Sequence, residues 1–124
     1  MAEGTRYEQG LETLEALFGP GKEEKALENG DLGRLLIEFG LGDIFSRPGL
    51  SLRDREIANV AMLVGMGDCQ QQLRYHFSAA LRLGMTPAEL DELVLNMVVN
   101  AGSARVINAR RVLQEVVAKP DSVQ

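Results

Sequence analysis

The chain holds a single histidine, His76, the one side chain type whose ordinary ionisation lies near neutral pH. Helical spacing sets it in line with Leu73 and Ala80, at the edge of an apolar face. From there an imidazole can take up or deliver a proton away from bulk water. The alternative is a histidine at the margin of the core, bonded to a backbone carbonyl. Glu56 stands before a stretch, Ile57 to Met66, that is apolar nearly all round. A carboxylate there is either desolvated or settled against a helix N-terminus, and the sequence favours the second. Asn59 lies one turn further along the same stripe. It can satisfy Glu56 or fill its own hydrogen bonds inside the core. Cys69 begins a helix, where the dipole favours a thiolate. It lies roughly 10 Å along a helix axis from His76, and the chain has no second thiol to complete a redox couple. A redox role for Cys69 is therefore disfavoured. Arg47, Arg53, Arg55, Arg74 and Arg105 can hold a dicarboxylate through forked hydrogen bonds, or are simply solvated. Met62, Met66, Met85 and Met97 read as core filler rather than metal ligands. No phosphate loop, dinucleotide fingerprint, GxSxG or HExxH occurs.

Composition narrows the classes. The chain has 124 residues and a mass of 13.6 kDa, 45% apolar and 25% charged, which is ordinary for one globular domain, here 1–124. Lys and Arg number 13 against 18 Asp and Glu, a net charge of −5 and a pI near 4.9. An acidic domain repels phosphate backbones, so nucleic acid is an unfavoured partner. No apolar run approaches the roughly 20 residues that cross a bilayer. Met1-Ala2-Glu3-Gly4 lacks the basic and then apolar segments of a secretory signal, so a cytoplasmic protein is expected. One cysteine and one histidine exclude an intramolecular disulfide and a Cys/His zinc site in one chain. A domain this small has little room for a deep private pocket, so if it acts on a small molecule a pocket between subunits is expected.

Helical patterns run almost throughout. Residues 5–18 carry Tyr7, Leu11, Leu14 and Phe18 at helical spacing, and Gly19-Pro20-Gly21 stops them. After a charged stretch over 22–28 and a turn at Asn29-Gly30, Asp31 caps a helix carrying Leu32, Leu35, Leu36 and Phe39. Gly40 and Gly42 loosen its end, and Ser46 to Gly49 form a loop. A buried helix over 51–66 is followed by one over 68–84 capped by Asp68. Thr86-Pro87-Ala88-Glu89 has a capping residue, a first-turn proline and a returning carboxylate in their preferred order. The helix it starts, 87–100, breaks at Gly102-Ser103, and a last helix carries Ile107, Leu113, Val116 and Val117. No stretch alternates as a half-buried strand does. The expectation is an all-α domain of six or seven helices, centred on the antiparallel pair 51–66 and 68–84 and packed by 87–100. Residues 1–4 and 119–124 are expected to be loose.

Several motifs in order resemble the carboxymuconolactone decarboxylase family, and within it the short single-domain decarboxylases. Arg6-Tyr7-x-x-Gly10 is similar to the family's opening, and Gly42-Asp43-Ile44-Phe45-Ser46-Arg47-Pro48-Gly49-Leu50 to its aromatic-rich segment. Arg53-x-Arg55-Glu56 resembles the start of its central helix, and Leu73-Arg74-Tyr75-His76 its histidine motif. Ala80-Leu81, Gly84, Ala101-Gly102 and Asn108-Ala109 continue the likeness. The resemblance implies an alkylhydroperoxidase-like all-helical fold and a ring of trimers or hexamers. It implies a substrate such as a carboxylated unsaturated lactone from aromatic breakdown, with no cofactor. A second branch of the family works as a peroxidase through a CxxC dithiol. Here Cys69 occupies the first thiol position and Gln72 the second, so that activity is disfavoured. Relative to Glu56, His76 falls one residue later than in typical members, which implies an insertion near Gly65–Asp68. The usual aromatic and proline are missing from the run Asn100-Ala101-Gly102-Ser103-Ala104-Arg105.

On that resemblance, His76 is expected as the acid or oxyanion partner and Glu56 as its orienting or relay group. Arg47 and Arg105 are expected to bind carboxylate, with Asn100 and Arg105 as points of altered specificity. The other readings are a lyase or isomerase for another cyclic acid, and a non-catalytic helical oligomer.

Overall fold

Thr5 starts the first helix: its hydroxyl oxygen accepts the Glu8 amide at 3.1 Å, and α1 runs over Arg6–Phe18. A computed structural model describes residues 4–119, with no strand among them. The tails expected to be loose lie almost wholly outside those residues. The chain divides between Leu52 and Arg53 into two compact units.

The first unit follows α1 with α2 (Glu23–Ala26), a 3-10 turn (Leu27–Asn29) and α3 (Asp31–Leu35), which continues as a π-helix over Leu36–Ile44. The glycines at positions 10 and 42 explain how α1 and the π-helix meet. A Cβ on Gly10 would collide with the Ile37 carbonyl, and one on Gly42 with the Arg6 carbonyl. Backbone therefore lies against backbone, with Leu14, Leu17 and Ile37 buried beside the contact. Arg6 clamps the far end through Asp43 at 2.8 Å. The Tyr7 hydroxyl donates to Glu23 at 2.5 Å, which pushes its ionisation up.

Three expectations are corrected here. Gly30, not Asp31, holds the cap position of α3, and Asp31 is its first residue. Gly40 and Gly42 do not end the helix but sit inside its widened π turns. The inward face is Gly33, Ile37 and Gly42, whereas Leu32, Leu35, Leu36 and Phe39 are exposed in the single chain. The close backbone approach selects the small residues for the contact, whatever the hydrophobicity of their neighbours.

The second unit contains α4 (Leu52–Met66), α5 (Gln70–Arg82), α6 (Pro87–Asn96), the single turn α7 (Val98–Ala101) and α8 (Ser103–Ala118). Helices α4 and α5 form the expected antiparallel hairpin. The turn between them holds Gly67 at φ 72° and Asp68 at φ 53°. Aspartate is among the few side chains that tolerate this region. Both helices run unbroken up to the turn. Cys69, rather than Asp68, occupies the α5 cap position.

The core is built from Val60, Val64, Leu73, Phe77, Leu90, Val94 and the α8 residues Val106, Val112, Leu113 and Val116. Helix α5 packs most extensively on α8, which also receives α6. The partner expected for the hairpin, 87–100, instead ends at Asn96 and turns through Met97. Helix α4 is not buried all round: Glu56, Val60 and Val64 face inward, while Met62 is 64% exposed and Met66 is exposed too. Of the four methionines read as core filler, Met85 is buried and Met97 packs against the core. On α8 the face is set by Val106 and Val112, with Ile107 and Val117 outward.

The capping box of α6 forms as expected, with Thr86 Oγ1 accepting the Glu89 amide at 3.0 Å and Glu89 accepting the Thr86 amide at 2.9 Å. The Thr86 amide, aided by the charge of Arg53, holds the Glu89 carboxyl below the usual carboxylate range. Such a group adds stability above its unfolded pKa and loses it as pH falls through its depressed folded one. Thr86→Ala is expected to lower the unfolding free energy by about 1 kcal/mol at neutral pH, read from urea denaturation.

Candidate active site

Residues ten positions before and after Met66 face each other across the hairpin, and these are Glu56 and His76. His76 Nδ1 lies 2.9 Å from Glu56 Oε1 and 2.8 Å from Oε2. Asn59 Nδ2 donates to Oε2 at 3.0 Å. The Glu56 side chain is 0% exposed and that of His76 24%.

This corrects the expectation that Glu56 rests against a helix N-terminus. It stands on the inward stripe with Val60 and Val64, at intervals of four residues. A carboxylate in that position needs donors, because burying an unsatisfied charge is very costly. The imidazole and the Asn59 amide supply them. Among the described residues no buried side-chain nitrogen or oxygen lacks a hydrogen-bond partner.

The pairing has chemical consequences. A carboxylate, were Glu56 ionised, would only accept hydrogen bonds and so would place the ring proton on Nδ1. Proton exchange with anything outside then falls to Nε2. A cation formed on the ring is balanced by the charge behind it, as carboxylates do for catalytic histidines generally.

The other expected residues are placed as follows. Arg105, at the start of α8, lies over the α4–α5 turn, its Nε 3.1 Å from where a Cβ on Gly67 would stand. It lines a cavity of about 30 Å³ with Leu63, Cys69, Gln70, Leu73 and Asn108. That cavity is walled by neither His76 nor Glu56, so the structure does not join Arg105 to the pair within one chain. Arg105 has no ion-pair partner among the described residues, unlike Arg53 and Arg74, which hold Glu89 and Glu115 at 2.9 Å each. Asn100 is exposed on α7. Arg47, in the first unit, is exposed in the turn after the π-helix, its amide bonded to the Ile44 carbonyl at 3.2 Å. Cys69 is half-buried and Gln72 exposed. Gln70, which helps line the cavity, carries no signal in the sequence that would single it out. No three or more His, Cys, Asp or Glu among the described residues group as metal ligands do. No helix among them is long and apolar enough to cross a membrane.

A buried glutamate behind a partly exposed histidine, on an all-helical frame, is an arrangement that can exchange a proton. Sequence comparison narrows the class. The profile of the carboxymuconolactone decarboxylase family matches residues 30–115, and the chain belongs to that family. It is 31% identical to a 4-carboxymuconolactone decarboxylase of Acinetobacter baylyi, over 99% of this chain and 98% of the relative. It is also 26% identical to a nitrosuccinic acid decarboxylase of Metarhizium robertsii, over 90% of this chain and 80% of the relative.

Proposed function

We propose that the protein is a carboxy-lyase that removes CO₂ from a carboxylated unsaturated lactone of the γ-carboxymuconolactone type, without a cofactor, in the breakdown of aromatic compounds. The observation that carries this reading is the contact of His76 Nδ1 with the buried Glu56 carboxylate at 2.8 Å. The full-length similarity to a protein named for that reaction supports it. In such a lactone the departing carboxylate is vinylogous to the ring carbonyl. The C–C bond breaks, CO₂ leaves, and the electron pair moves through the double bond to the carbonyl oxygen as a dienolate. A proton must then return to carbon. His76, through Nε2, favours charge on that oxygen or returns the proton. Glu56 holds the ring by Nδ1. Arg47 and Arg105 are assigned the substrate carboxylates on the family resemblance, and Asn100 a part in specificity.

We further propose that residues 1–124 act as one cytoplasmic domain and assemble as a trimer or hexamer, with each pocket completed by a neighbouring copy. Met62, Met66, Val99 and Ile107 are exposed in the single chain, as an assembly surface requires.

The relative named for nitrosuccinic acid favours a second reading, decarboxylation of a different small acid. A nitro group, like an unsaturated lactone carbonyl, can accept the electron pair that CO₂ leaves behind. The test is CO₂ release from both substrates at equal concentration. Faster turnover of the lactone supports the first reading, faster turnover of nitrosuccinate the second, and no release from either contradicts both.

A further inference from the structure

The Glu56 carboxylate meets two donors, and the second has no role in the mechanism above. Asn59 sits one helical turn from Glu56 and gives its amide to Oε2 at 3.0 Å. Nδ1 of His76 straddles both oxygens, at 2.9 and 2.8 Å. Nothing in that straddling contact fixes how the carboxylate turns about its last bond, a torsion that is intrinsically broad. The Asn59 bond fixes it, because only one oxygen can face that amide.

The same bond bears on where the proton lies. Two arrangements leave the imidazole itself neutral, and they differ by one proton on the pair. In one, Glu56 is a carboxylate and the ring carries its proton on Nδ1. In the other, Glu56 is the neutral acid donating to Nδ1, and the ring proton is on Nε2. A donor from Asn59 favours the charged carboxylate, since a hydrogen bond to an ionised group is worth more than one to its neutral form.

We infer that Asn59 is a positioning residue. It locks the Glu56 carboxylate in its ionised form and orientation, so that His76 is held as the Nδ1-protonated tautomer with Nε2 turned to the substrate. The link to catalysis rests on the function proposed above; the tautomer does not.

His76 is the sole histidine of the sequence, so an untagged, ¹⁵N-labelled protein gives one pair of ring-nitrogen resonances. In the wild type, with the ring neutral, Nδ1 is expected at the protonated-nitrogen shift and Nε2 at the bare-nitrogen shift. The reverse in the wild type overturns the inference without any variant. With wild type and variant at the same pH, Asn59→Leu, close in size, is expected to lower the ratio of the Nδ1–H form to the Nε2–H form, which carries one more proton on Glu56, by about tenfold or more, the scale of one lost bond to a charged group. Asn59→Ala gives the same readout if the leucine variant does not fold, and an unchanged ratio in a folded variant overturns the inference. With γ-carboxymuconolactone, Asn59→Leu is expected to lower kcat about tenfold at a KM within about twofold of wild type. A wild type inactive on this substrate sinks the lactone reading, and the nitrogen shifts still decide the role of Asn59.

Discussion

His76→Gln is expected to fold with the wild-type helix content and to turn over a carboxylated lactone about 10²–10⁴-fold more slowly, the usual contribution of a positioned acid or base. Glutamine is close to histidine in reach and keeps a donor that can meet either Glu56 oxygen. It can still offer a hydrogen bond to a developing oxyanion. It cannot carry a proton to carbon. The loss should therefore fall on kcat, with KM within a few-fold of wild type, because the substrate carboxylates are held elsewhere. Steady-state kinetics measure both. A folded His76→Gln protein with undiminished kcat removes the histidine from the chemistry.

The largest expected effect on stability comes from the next residue. Phe77 is fully buried in the core of the second unit, where α5 meets α8. Phe77→Ala should cost about 3–5 kcal/mol, combining lost transfer energy with the cavity left behind. Urea unfolding followed by circular dichroism reads this as a lower midpoint with little change in slope. A cost below about 1 kcal/mol would mean that the helices close over the gap, and that α5 is not held as described. The contrast between neighbours is informative: His76 is half-exposed and expected to matter for turnover, Phe77 is buried and expected to matter for folding.

Much of the second unit was legible in the sequence because its signals are local. The capping box at Thr86–Glu89 forms as its spacing requires, and the 3.6-residue period of Leu73, Phe77 and Ala80 marks the inward face of α5. The α4–α5 hairpin follows from two helices around a short turn. Other features depend on the partner element and leave no local trace. The π-helix over Leu36–Ile44 is held by the approach of α1, and the residues that matter to it are Gly10 and Gly42, which periodicity ignores. Leucines 32, 35 and 36 share a helical pattern but not the buried face. Met62 on α4 looks internal in an apolar run and is exposed in the single chain.

The candidate site divides the same way. His76 and Glu56 are legible as residue types, and their meeting follows once the hairpin register is known. The burial of Glu56 is not legible, because a carboxylate before an apolar run also suits a helix start, and only the Val60–Val64 stripe points it inward. Nor does sequence place Arg105 in a separate cavity above the turn at Gly67.

The most direct test of the account is CO₂ release from γ-carboxymuconolactone by the wild-type protein, run beside His76→Gln. The account predicts steady release by the wild type and a fall of about 10²–10⁴-fold in the variant. Equal release by the two proteins would contradict it.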